Sequence, residues 1–180
     1  MSYCEYCKSP KTKQVHIDYH DEVYGFPVES DNELFGRLTL EINQAGLSWE
    51  IILNKKKYFA LAFDGWNVSR IANYDNADLD RLMNDASIIR NRRKSEATIH
   101  NAKEVLQIQA EFGSFKSWLD QNHPKSKEEW VVLFKTRFKF VGGEILNEFL
   151  MGTGYLPGAH DKNCPVFDKI SKFNPKWTEI

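Results

Sequence analysis

Leu34, Phe35, Leu38, Ile42 and Ala45 fall on one stripe of a helix at about 100° per residue, and Ser30 with Glu33 forms a capping box just ahead of it. The same pattern, an apolar period closed by start and stop signals, recurs along the chain. Ser126 with Glu129 makes a second capping box before Trp130, and Ser48, Asn76 and Ser114 are further N-cap positions. Gly65, Gly113 and Gly152 stand where helices would stop. The spacing predicts helices over 31–45, 49–63, 67–73, 77–84, 89–112, 115–121, 127–135 and 143–151. No segment alternates like a strand, no repeat emerges, and the proline-bearing ends read as less regular than the middle. The expected fold is all-α.

Composition sharpens this only a little. A chain of 180 residues that is 42% hydrophobic can bury one core without cross-links, so a single domain over 1–180 and a monomer are expected. Its N-terminal MSYCEYCKSPKTK has no apolar signal run, and no stretch approaches a membrane span, which points to the cytoplasm and to no membrane partner. A net charge of −1 provides no global basic field, so a nucleic-acid partner would have to be held by local patches.

The stretch EINQAGLSWE at 41–50 departs from a plain core stripe. Glu41 lies about 20° from Leu34 on the helical wheel, at the edge of the apolar face. It either pairs with Arg37 one turn earlier on a solvated face, or lines a pocket, where a charge near apolar surface needs a polar or cationic partner. Asn43 points off the stripe and is expected in solvent. Gln44-Ala45-Gly46-Leu47 ends one helix and Ser48 starts the next, so Trp49 emerges just after a corner, either as core or as a stacking platform.

Three cysteines, an odd number, argue against a disulfide framework and leave thiol or metal chemistry open. Cys4, Cys7, His16 and His20 give C-x2-C-x8-H-x3-H, and His160 with Cys164 gives H-x3-C. Zinc takes four such ligands in a tetrahedron. Either the N-terminal four form a site by themselves, or one Cys/His pair from each end clips the termini together, or the side chains are unligated.

In LMNDASIIRNRRKSEATIHNAKEVL at 82–106, a short helix, a tight turn at 86–89 and a long helix rich in Arg90, Arg92, Arg93 and Lys94 would gather free backbone N–H groups and cations at one point. That suits a phosphate. Lys55, Lys56, Lys57 and the KTRFK run at 135–139 would extend a basic surface around it.

Together these residues resemble the 3-methyladenine DNA glycosylase I family of the helix-hairpin-helix superfamily. The resemblance spans CEYC at 4–7, YHDEVYGFP at 19–27, LEINQAGLSW at 40–49, DASIIRNRRK at 85–94, FKFVGGEI at 138–145 and LPGAHDKNC at 156–164. It implies an all-α globule with a helix-hairpin-helix at about 77–112, its termini (1–25 and 156–168) clasped by one structural Zn2+ on Cys4, His20, His160 and Cys164, with Cys7 and His16 outside. It also implies that Glu41 and Tyr19 hydrogen-bond the damaged base, that Trp49 stacks on it with Tyr24 and Tyr6 nearby, that Gln44, Gly46 and Leu47 face the abasic gap, and that Arg90 and Lys94 anchor phosphates. Glu41 is then the residue assigned to catalysis. Tyr6 and Tyr24 stand where the family usually has tryptophan, and Ser87 where it has a hairpin glycine; if that turn needs a positive φ, serine pays about 1 kcal/mol there.

The activity so implied is hydrolysis of the N-glycosidic bond of 3-methyladenine in double-stranded alkylated DNA, releasing the free base. No lysine is placed for Schiff-base chemistry, so the strand is expected to stay intact, and no dedicated general base can be named. Two rival readings are a non-catalytic DNA-binding module and a zinc-stabilised helical protein with no DNA role.

Overall fold

A computed structural model describes residues 1–179 of the chain. Among them there are eleven α-helices and no strand: α1 (Tyr3–Cys7), α2 (Gln14–Glu22), α3 (Asp31–Gln44), α4 (Trp49–Ala62), α5 (Val68–Ala72), α6 (Asn76–Asn84), α7 (Arg92–Phe112), α8 (Phe115–Asn122), α9 (Lys127–Lys135), α10 (Gly143–Gly152) and α11 (Pro165–Ser171). None of these helices is long and apolar enough to cross a membrane.

The middle of the chain follows its local signals. Ser30, Ser114 and Ser126 each accept a hydrogen bond from the first turn of the helix they precede, and at α6 the cap is Asp75 rather than Asn76. The ends do not match the expectation of irregular chain: α1, α2 and α11 are helical. At five to nine residues they are too short to hold in isolation. They persist because they pack on one another and on α4 through Cys4, Cys164, Val166 and Ile170, and through Tyr19, Tyr24 and Leu53.

α3 is the central helix, packed against α4, α7, α8 and α10. Leu34, Phe35, Leu38 and Ile42 are all within 1% of complete burial. Because α3 is covered on more than one side, Asn43 is buried too. Its amide donates to the Thr39 carbonyl at 2.9 Å, which corrects the solvent-facing expectation. Asp31 at the start of α3 locks the core to α8: its carboxylate accepts the backbone N–H groups of Phe115 and Lys116 at 2.8 and 2.9 Å. Gly36 admits the Trp66 indole so closely that a Cβ would sit 2.7 Å from the ring.

α7 begins at Arg92, capped by Asn91, and not at 89. The connection from α6 is therefore longer than a tight turn, and Arg90 stands before the helix. Ser87 is not among the residues with positive φ, so the strain expected of a serine there is absent. The turn is built from side chains instead: Asp85 Oδ1 accepts both the N–H (2.8 Å) and the hydroxyl (2.5 Å) of Ser87, and Lys55 Nζ donates to the Ser87 carbonyl at 2.6 Å. Lys55 thus braces the hairpin rather than extending a free basic surface.

Candidate functional site

The packing of α1, α2, α3, α4 and α10 leaves a cavity of about 710 Å3 walled by Tyr3, Tyr6, Tyr19, Tyr24, Trp49 and Met151, with Glu41, Gln44 and Glu148 among its polar lining. Tyr19 meets Trp49 edge-on at 5.3 Å between ring centroids, Tyr24 lies 5.6 Å from both Tyr19 and Tyr3, and Tyr3 stacks on Tyr6 at 6.0 Å. A cavity with aromatic walls and a few polar groups suits a flat, unsaturated ring.

Glu41 reaches this cavity from α3. It is 7% exposed, and among the described residues nothing hydrogen-bonds its carboxylate. The pairing with Arg37 does not form: that guanidinium donates to Glu33 at 2.6 Å and to the Val23 carbonyl at 3.0 Å. Burial first, and then the facing Glu148, push the Glu41 carboxyl up to about 8, with Arg37 opposing weakly. Tyr24 donates its hydroxyl to Glu148 at 2.9 Å. Tyr19 is held in its neutral phenol form, again chiefly by burial. Two carboxyl groups therefore share an aromatic chamber, an arrangement that favours a positively charged guest.

Of the residues that sequence reasoning assigned to the base, Tyr6, Tyr19, Tyr24, Glu41 and Trp49 all line the cavity, and so does Gln44. Tyr3 and Glu148 line it as well and were missed. Nothing local marks them, since each arrives through packing of distant segments. Gly46 is exposed with φ +85 and open space around it, while Leu47 lies half-buried against the core and Gln44 donates to the Leu47 carbonyl at 2.8 Å.

The cationic hairpin divides differently from expectation. Arg90 and Arg93 are exposed and, among the described residues, pair with no carboxylate, whereas Arg92 bonds Glu96 at 3.1 Å. Lys94 is turned inward: it is 8% exposed, and its ammonium donates to the carbonyls of Asn43 and Ala45 at 2.9 and 2.8 Å. It is no phosphate anchor. Those two carbonyls are left over at the end of α3, so Lys94 ties the hairpin to the corner beside the cavity.

Cys4, His20, His160 and Cys164 are buried together, with one ligand atom from each within 4.8 Å of every other. The separations are 3.2 Å (His20 Nε2 to Cys4 Sγ), 3.5 Å (His160 Nδ1 to Cys4 Sγ) and 3.8 Å from Cys164 Sγ to each imidazole. A tetrahedron with bonds of about 2.0–2.3 Å has edges of roughly 3.3–3.8 Å, so the cluster has the size a metal ion needs. The far ring nitrogens are committed: His160 Nε2 donates to the Tyr24 carbonyl at 2.8 Å, and His20 Nδ1 meets Asp21 at 2.6 Å. This group can hold a metal ion. Cys7 and His16 stand apart; the Cys7 thiol points at the His16 carbonyl at 3.7 Å.

The methyladenine glycosylase family model matches residues 9–132. A DNA-3-methyladenine glycosylase of Haemophilus influenzae is 31% identical over 172 residues, covering 85% of this chain and 92% of that protein. DNA-3-methyladenine glycosylase 1 of Escherichia coli is 31% identical over 179 residues, covering 89% and 95%. Among solved structures, a 3-methyladenine DNA glycosylase I in complex with 3-methyladenine superposes with a TM-score of 0.81 at 31% identity, over 92% of this chain and 97% of that one. The Staphylococcus aureus 3-methyladenine DNA glycosylase I, solved for the basis of 3-methyladenine recognition, gives 0.82 at 30% identity with the same coverage.

Proposed function

The chain belongs to the methyladenine glycosylase family and is a DNA repair glycosylase acting on 3-methyladenine, and on that premise we propose how its residues do so. The observation that carries the reading is the buried, unpartnered Glu41 carboxylate opening onto an aromatic chamber. An N3-methylated adenine in DNA is a cation. Extruded from the duplex at a cost of a few kcal/mol, it stacks against Trp49, which returns about 1–3 kcal/mol. Its exocyclic amino group donates to Glu41, and the hydroxyl of Tyr19 meets the ring edge. The cationic ring lets Glu41 ionise beside Glu148, whereas neutral adenine leaves that repulsion in place. Glu41 therefore selects charge as well as shape.

The bond electrons move into the ring as the glycosidic bond breaks, so the base departs neutral and needs no acid to protonate it. Water adds at the sugar carbon and gives up a proton to solvent, and the strand stays whole. Lys94, which reaches the corner, donates its ammonium to two carbonyls there and serves as a brace.

The hairpin between α6 and α7 serves as a sequence-blind phosphate anchor through Arg90 and the free N–H groups at the start of α7. Gln44, Gly46 and Leu47 present the corner to the gap in the duplex. Cys4, His20, His160 and Cys164 would hold one Zn2+. Bound there, zinc supplies a cross-link between the first and last segments and takes no part in the reaction. The whole chain acts as one glycosylase domain and as a monomer in the cytoplasm.

Release of free 3-methyladenine from methylated duplex DNA tests the reading. The expected product is free base plus a strand that breaks only on alkaline heating. Strand cleavage without alkali, or no base release, overturns it.

A further inference from the structure

Phe140 is a large apolar residue held in the left-handed region at φ +59, where bulky side chains are rare, yet its ring remains 41% exposed. The backbone around it is over-determined. Asn101, 1% exposed, grips Lys139 from both sides, donating to its carbonyl at 3.1 Å and accepting its N–H at 2.8 Å. Phe138 and Val141 are buried in the core on either side. These anchors drive the Phe140 ring outward. The other strained aromatic, Trp66, is explained by packing, since its indole stacks on Phe63 and fills the space left by Gly36. Phe140 has no such explanation.

Its surroundings name a partner. Arg93 of the hairpin lies over the ring at 5.9 Å and is itself free of carboxylates among the described residues. Lys94, the next residue, grips the corner at Asn43 and Ala45, and Gly143 just beyond Phe140 opens α10, whose Glu144 and Glu148 line the cavity. Phe140 thus touches the hairpin that grips the corner and stands just ahead of the helix that lines the cavity.

We propose that Phe140 and Arg93 form a second DNA contact beside the cavity, in which the Phe140 ring stacks on a nucleobase adjoining the extruded nucleotide while Arg93 meets the neighbouring phosphate. The inference rests on the glycosylase reading above and adds to it a wedge outside the corner at 44–47. Stacking is indifferent to base identity, so the contact stabilises the opened duplex without reading sequence.

Phe140→Gly is the test, because glycine relieves the positive φ. Its melting temperature should equal or exceed that of the wild type, and its affinity for free 3-methyladenine should be unchanged. Affinity for a duplex carrying a tetrahydrofuran abasic analogue should fall about tenfold, the scale of one lost base–aromatic stack. Phe140→Tyr should restore it, and Arg93→Gln should flatten the salt dependence by about one phosphate contact. Wild-type affinity of Phe140→Gly for the abasic duplex overturns the proposal and leaves the ring to a protein contact; a fall in melting temperature with equal loss of both affinities makes Phe140 merely structural. Wild-type protein that releases no base overturns the glycosylase reading instead, a result distinct from either.

Discussion

His160 Nε2 donates to the Tyr24 carbonyl at 2.8 Å, so a ligand of the Cys/His group holds the backbone of a residue in the cavity wall. The other ring nitrogen of His160 faces Cys4 and Cys164. Closure of the chain ends and the shape of the cavity are mechanically joined at this imidazole.

Metal content should follow that junction. We expect one zinc per chain, lost in Cys164→Ser together with a lowered melting temperature, and retained in Cys7→Ser. Chelation should also weaken binding of free 3-methyladenine, because Tyr24 loses its brace. Zinc analysis and base titration on the same samples check both; a Cys7→Ser protein stripped of metal would move the site to the N-terminal cluster.

Glu41 should make stability depend on pH. Its folded-state pKa of about 8 lies above the usual 4.5, so the folded protein binds the extra proton between those values. The stabilisation is complete below about 4.5 and is lost as pH rises through about 8. Glu41→Gln should therefore be more stable than wild type at pH 9, by on the order of a few kcal/mol, and melt higher, with the gap closing toward pH 5. Its affinity for free 3-methyladenine should fall about tenfold or more, since a charge-assisted hydrogen bond is worth roughly 1.5–3 kcal/mol. Trp49→Ala should weaken methylated and ordinary bases alike. Paired melting curves and base titrations decide; unchanged affinity in Glu41→Gln would sink its role.

Lys94 and Arg90 should separate cleanly. Lys94→Met strands the Asn43 and Ala45 carbonyls, so it should lower stability by about 1–3 kcal/mol while leaving the salt dependence of DNA binding as it was. Arg90→Gln should do the reverse, with wild-type stability and a salt slope shallower by about one phosphate. Urea unfolding and binding isotherms at several salt concentrations distinguish them.

Gly36→Ala should destabilise by about 1–3 kcal/mol or more, because the new Cβ meets the Trp66 ring at 2.7 Å. Gly143→Ala is the control: its Cβ meets only the flexible Lys127 side chain at 3.8 Å, so the unfolding midpoint should hold or rise.

What could be read from the chain alone was whatever is encoded within a turn or two. The Ser30 and Ser126 caps lie three residues from their partners, and the edge position of Glu41 follows from helical periodicity. What resisted reading is long-range. Lys94 finds its acceptors 51 and 49 positions away, whereas the exposed Arg90, Arg92 and Arg93 just before it pointed outward to a phosphate. Asn43 looked solvated because periodicity assumes one covered face and α3 has more. α1, α2 and α11 carry weak local signals and owe their helicity to one another. Glu148 and Tyr3 enter the cavity from opposite ends of the chain.

That last arrangement governs when the enzyme can exist during its own synthesis. The cavity wall includes Tyr3 and Tyr6 near one end and Gly158, Ala159 and Asp161 near the other, while the α3 stripe that forms the core is complete by Gln44. A nascent chain can thus collapse around α3 long before it possesses a base-binding chamber. No growing polypeptide that stops short of 161 carries the finished recognition surface, although Tyr19, Glu41 and Trp49 are all made early. The chamber is completed by a long-range closure, in which Asp161 accepts the Ser2 hydroxyl and donates its N–H to Cys4 Sγ.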